Sequence, residues 1–190
     1  MSITASLRRL CALLLALALV GGGLGGCRIQ SVSDQIKDLY AVYLESAESP
    51  RSSPDYENFR RVFPLACWET WRDEMFGGSE SDMRFFFREN LNAVKEEYAD
   101  RCGWDNTFTV DKVERERITG EEYDQIRDAM KESFGVEPGQ LGEVYAVTVL
   151  FTITGGLDTL TITHRQRLMV MNGRWYFCPV GSQDYFRLFS

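Results

Sequence analysis

His164 is the only histidine of this 190-residue chain. It is therefore the one side chain whose ordinary pKa suits proton transfer near neutrality. It stands within Leu160-Thr161-Ile162-Thr163-His164-Arg165-Gln166-Arg167-Leu168. Strand alternation puts Leu160, Ile162, His164, Gln166, Leu168 and Val170 on one face and Thr161, Thr163, Arg165 and Arg167 on the other. The even face is the apolar one, so His164 and Gln166 point toward the core, where polar groups are costly unless hydrogen-bonded. Two readings follow. Each bonds a neighbouring backbone or side-chain group or lies at the wet rim of the sheet, or the two are the polar handles of a ligand pocket lined by Trp68, Trp71 and Phe151. Catalysis would need a partner for His164. Asp158 falls in a turn and Asp111 in a charged strand, and nothing orients a Cys178–His164 nucleophilic pair, so no residue is assigned a catalytic role. A lone histidine and unclustered carboxylates disfavour a metal. No glycine loop follows a strand in the phosphate-binding pattern, and no cofactor is expected.

A second reactive position is Cys27. Residues 1–9 are basic at Arg8 and Arg9, Leu10 to Val20 is almost wholly Leu, Ala and Val, and Gly21 to Gly26 is small apart from Leu24. This is the three-part order of a secretory signal. Leu24-Gly25-Gly26-Cys27 resembles the lipobox of bacterial lipoproteins, a large aliphatic residue and two small ones before Cys. The resemblance implies diacylglycerol on the Cys27 thiol and cleavage before it. Two acyl chains hold a protein stably on a bilayer, at about 0.8 kcal/mol per buried CH₂, where one chain binds only marginally. The expected layout is a signal peptide over 1–26, a short tether over 27–30 and one domain over 31–190, lying on the extracytoplasmic face of a cell membrane. The alternatives are an uncleaved membrane helix, for which the apolar run falls short of the roughly 20 residues a span needs, and an ordinary signal peptide cut elsewhere.

Removal of residues 1–26 from the 190 leaves 164, one domain by size and long enough to bury a real core. Loss of Arg8 and Arg9 takes the 21 basic residues to 19 against 28 acidic ones, a balance of −9. Such a domain is repelled by nucleic acid and by anionic headgroups, so its partners are the membrane through lipid and either a protein or a small ligand. Of the five cysteines, Cys11 leaves with the signal and Cys27 takes the lipid. Cys67, Cys102 and Cys178 remain, in no zinc spacing. They are either small buried apolar side chains or one disulfide plus one thiol, which an exported protein permits.

The elements that must position these residues read as helices first and strands last. Val32, Ile36, Leu39, Tyr43 and Ala47 make one helical stripe. Ser53 and Pro54 suit the start of a second helix, carrying Tyr56, Phe59 and Phe63 until Pro64 interrupts it. Leu65 to Met75 resumes, with Trp68, Trp71 and Met75 on one side. A third long helix begins near Ser81 with Met83, Phe87, Leu91, Val94 and Tyr98 inward, and stops at Gly103. Three adjacent phenylalanines, Phe85, Phe86 and Phe87, cannot share a face at about 100° per residue, so at least one looks outward. Asn106 to Ile118 is a charged strand. Thr119-Gly120-Glu121-Glu122 has the pattern of a capping box before a helix with Tyr123, Ile126, Met130 and Phe134 inward and Gly135 as its stop. Glu143 to Thr154 alternates strictly, with Tyr145, Val147, Val149, Phe151 and Ile153 on one face. Thr159 to Met171 is a second strand, and Asn172-Gly173 turns it into a third, Arg174 to Val180.

Helices followed by an antiparallel meander make an α+β plan. The strand Tyr145 to Ile153, the strand ending Leu168-Met169-Val170, and Asn172-Gly173-Arg174-Trp175-Tyr176 resemble the C-terminal half of the cone-shaped NTF2-like (nuclear transport factor 2-like, cystatin-like) folds. That resemblance implies N-terminal helices packed on a curved sheet, although four strands appear where the family usually has five or six. It also implies a cavity that in some members holds a catalytic His or Asp, yet no family motif can be laid onto this chain. The expected role is a lipid-anchored, non-enzymatic module binding a ligand or partner. The alternatives are an enzyme using His164 or an accessory subunit of an envelope assembly.

Overall fold

The computed structural model describes residues 30–47 and 55–180. Cys27, Ser53 and Pro54 lie outside them. Helix α1 spans Val32–Glu45, α2 Asp55–Arg61, α3 Leu65–Met75 and α4 Glu80–Cys102. Strand β1 (Thr107–Ile118) leads to helix α5 (Gly120–Phe134), and β2 (Leu141–Thr154), β3 (Thr159–Met171) and β4 (Arg174–Phe177) complete the order. The four strands form one open antiparallel sheet, in the order β1-β2-β3-β4.

Local chemistry explains most boundaries. Pro64, extended at φ −62° and ψ 150°, separates α2 from α3 because its ring cannot continue a helix. Ser79 caps α4 by accepting the Asp82 N–H. Gly135 ends α5 in the left-handed region at φ 62°, with its own N–H on the Lys131 carbonyl. Asn172 and Gly173 both take positive φ, 50° and 76°, as a two-residue hairpin turn of the right twist requires.

Three expectations need correction. The last strand ends at Phe177 rather than Val180. Thr119 makes no side-chain cap hydrogen bond. Gly120 turns to φ 64° directly after it, and the Glu122 carboxylate is drawn instead to the Arg167 guanidinium at 2.8 Å. Met75 is 60 % exposed rather than on the apolar side of α3, because the helix ends there and the next residue, Phe76, takes the inner place against Phe86 and Phe87.

The inner face of the sheet carries the main core. Tyr145, Val147, Val149, Phe151 and Ile153 of β2 are all buried there, and α1 and α4 supply Ile36, Tyr40, Tyr43, Phe87, Leu91 and Tyr98. Rings dominate this core. Trp68 meets Phe59, Phe63, Trp71 and Phe87 at centroid distances between 4.8 and 6.0 Å, the edge-on spacing that aromatic quadrupoles favour. A second core forms on the outer face at one end. Ile118, Val144 and Met169 are cross-strand partners in one row, and α5 covers them with Ile126 and Met130. Helix α3 serves both cores, with Trp68 in the first and Cys67 in the second.

Candidate functional site

β3 runs without a register shift against β2 from Thr159 to Met169, so the alternation expected around His164 holds. Val149 stands opposite His164, and Val147 opposite Gln166. His164 is half-buried on the inner face, beneath α1. Its Nδ1 lies 2.9 Å from the Tyr40 hydroxyl, and the two rings meet edge-on at 5.8 Å. Burial pushes the imidazole pKa down to about 4 and the Tyr40 phenol well above its ordinary value. Both partners are neutral over the physiological range. The pair is a hydrogen-bonded tie between a helix and a strand, with neither proton easily moved.

Gln166 is engaged close by, its side-chain carbonyl accepting the Arg167 backbone N–H at 3.0 Å. A second polar tie holds α1 over the sheet, where the Trp175 indole N–H donates to the Gln35 side-chain oxygen. The remaining residues predicted for a pocket are placed as follows. Trp68 is 2 % exposed and donates its indole N–H to the Arg60 carbonyl at 2.8 Å. Trp71 packs between both cores, on Phe63, Phe87 and Phe134. Phe151 is fully buried opposite Ile162, which makes it a diagonal neighbour of His164. The structure thus brings Phe151 near His164 and gathers Trp68 and Trp71 in the aromatic cluster of α2, α3 and α4. Tyr40 is the residue that sequence reading missed. It lies four positions after Ile36 and would have been found by extending the stripe of α1 to its neighbouring row.

A groove of about 520 Å³ opens on the other face of the sheet. Two cross-strand rows build it, Glu114–Thr148–Arg165 and Glu116–Ala146–Arg167. Small side chains of β2 make its floor, glutamates of β1 one side and arginines of β3 the other. Adjacent strands are about 4.8 Å apart, so the two charged rows are separated by roughly 10 Å. Arg167 is steadied by Glu122 of α5, and Glu114 by Lys112, whose ammonium holds that carboxyl below its ordinary pKa. Arg165 is exposed. The groove is chemically suited to a ligand or polypeptide surface that presents both signs of charge.

Among the described residues no group of three or more His, Cys, Asp and Glu side chains is arranged to hold a metal. No described helix is long and apolar enough to cross a membrane. Compared with known families, curated proteins and solved structures, the chain matches none.

Proposed function

We propose that this protein is a lipid-anchored extracytoplasmic module that binds a ligand or partner surface of mixed charge through the outer face of its sheet. The groove between Glu114, Glu116, Arg165 and Arg167 is the observation that carries the reading. The anchor rests on Leu24-Gly25-Gly26-Cys27. Four residues of sequence, 28–31, separate Cys27 from the first described helix at Val32. The fold is read as a relative of the NTF2-like folds, supported by the helices preceding a long β2–β3 hairpin and by the Asn172-Gly173 turn. The tie between His164 and Tyr40 favours a non-enzymatic module over an enzyme using His164, since the imidazole is already bonded and held neutral.

Protein–protein crosslinking on intact cells tests this. The unaltered chain and an Arg165→Glu variant, both membrane-bound, are compared. Loss of a crosslinked species in the variant supports the reading, and an identical crosslinking pattern overturns it.

One observation favours the accessory-subunit reading. Phe87 turns into the core, Phe86 leans on Phe76, and Phe85 is 67 % exposed on α4. An apolar ring presented to solvent in this way is a ready contact for a partner protein.

A further inference from the structure

The three cysteines of the domain are all buried thiols in this structure, yet they are not equivalent. Cys67 and Cys178 belong to the same outer core, together with Met130 and Met169. Hydrogen bonds place the end of β4 between β3 and the segment that leads into α3. Phe177 donates its N–H to the Val62 carbonyl at 2.8 Å, just ahead of α3, and Cys178 donates to the Arg167 carbonyl at 2.9 Å. The two sulfurs are near enough that charge on one disfavours charge on the other. Cys102 is at the opposite end of the sheet. Its carbonyl accepts the Leu157 N–H in the β2–β3 turn. From that turn to Arg167 the chain climbs most of β3, roughly 25 Å at about 3.3 Å per residue. A disulfide needs Cα atoms within about 7 Å, so Cys102 cannot reach Cys178.

We infer that Cys67 and Cys178 are the disulfide pair of the exported protein and that Cys102 remains a thiol. This rests on the extracytoplasmic reading above, because the bond persists only outside a reducing compartment. Its formation is a two-electron oxidation. The two thiols give up two protons and two electrons to a disulfide-type oxidant, which leaves as two thiols. Burial raises both thiols, Cys178 to about 11 and Cys67 further, so little thiolate exists in the folded protein. The bond therefore forms as the chain folds after export, before α3 and β4 close over it. It links the start of α3 to the end of β4 across a loop of about a hundred residues, the long-loop case in which a cross-link restricts the unfolded chain most.

The test uses the full chain in detergent. It is reduced and unfolded, refolded with oxidised and reduced glutathione, alkylated, digested and read by mass spectrometry. The expected product joins the Cys67 and Cys178 peptides and leaves Cys102 alkylated, and a Cys102→Ala variant gives the same bridge. The oxidised form should melt about 5–15 °C above the reduced one. Alkylation of Cys67, Cys102 and Cys178 alike after refolding, or a bridge that includes Cys102, overturns the pairing. The same reading on protein alkylated directly in cells separates the two premises. A bridge in refolded protein with Cys67, Cys102 and Cys178 all alkylated in cellular protein supports the pairing and overturns the export on which it was built.

Discussion

The Tyr40 hydroxyl on α1 lies 2.9 Å from Nδ1 of His164 on β3, across 124 positions of sequence. With the Trp175–Gln35 bond, it is one of the polar ties between α1 and the sheet. Removing one partner strands the other, so Tyr40→Phe should destabilise the protein by about 1–2 kcal/mol. Combining it with His164→Leu should cost less than the two single changes added together, since both polar groups then leave the core. Denaturant melts of the four proteins of this cycle measure it, and strict additivity would show that the contact carries no energy.

The same residue makes stability depend on pH. His164 titrates at about 4 when folded and near 6.5 when unfolded. As pH falls through 6.5 the unfolded chain takes up its proton first, which favours unfolding. The stabilisation from keeping the ring neutral is full above about pH 6.5, declines toward pH 4 and is flat below it, a total of about 3 kcal/mol. Carboxylates titrate lower in the same range, so the decisive quantity is the difference between the unaltered protein and His164→Gln. That difference should shrink between pH 7 and pH 4.5. A pH-independent difference would show that the imidazole is not buried as described.

Gly155 has no room for a side chain. A Cβ there would stand 2.1 Å from the Cys102 carbonyl oxygen and 2.8 Å from its carbon, where the end of α4 meets the β2–β3 turn. Gly155→Ala should cost about 2–3 kcal/mol by forcing these segments apart. Gly139 has nothing within 4 Å of the same position, and Gly139→Ala should stay within about 0.5 kcal/mol. Urea midpoints of the two variants distinguish a packing constraint from a general loss of glycine.

The three phenylalanines of α4 should separate by function. Phe87 is 4 % exposed within the ring cluster, and Phe87→Ala should cost about 3–5 kcal/mol. Phe85→Ser should leave stability within about 0.5 kcal/mol while removing any partner captured by crosslinking through this helix. An unchanged set of captured partners would count against a contact at Phe85.

Under the proposed lipid anchor, Cys27→Ser should move the protein from the membrane fraction to the soluble fraction and abolish incorporation of a labelled fatty acid. Retention on the membrane with no label incorporated would replace the lipid with a different mode of attachment.

Much of this organisation was legible from one strand or helix at a time. The alternation of β2 and β3 put Phe151 and His164 on the inner face, where they are found, because side-chain direction along a strand depends only on parity when no bulge intervenes. Pro64, Gly135 and Asn172-Gly173 marked breaks that local backbone sterics enforce. The stripe of α4 was read correctly from Met83 to Tyr98 for the same reason. The capping box at Thr119 misled, since an ion pair with a distant strand competed for Glu122. Met75 misled because periodicity cannot say where a helix gives way to the residue that replaces it.

The chain by itself therefore determined its class, its elements, the faces of its strands and the signature around Cys27, all of which follow from near neighbours. Only the tertiary structure decided that His164 answers to Tyr40, that Trp68 and Trp71 join a ring cluster away from it, that Cys67 rather than Cys102 shares a core with Cys178, and that acidic and basic rows flank a groove. Each of these depends on how helices settle across a sheet. That placement is set by the summed packing of many weak contacts between residues far apart in the chain, which no short stretch of sequence contains.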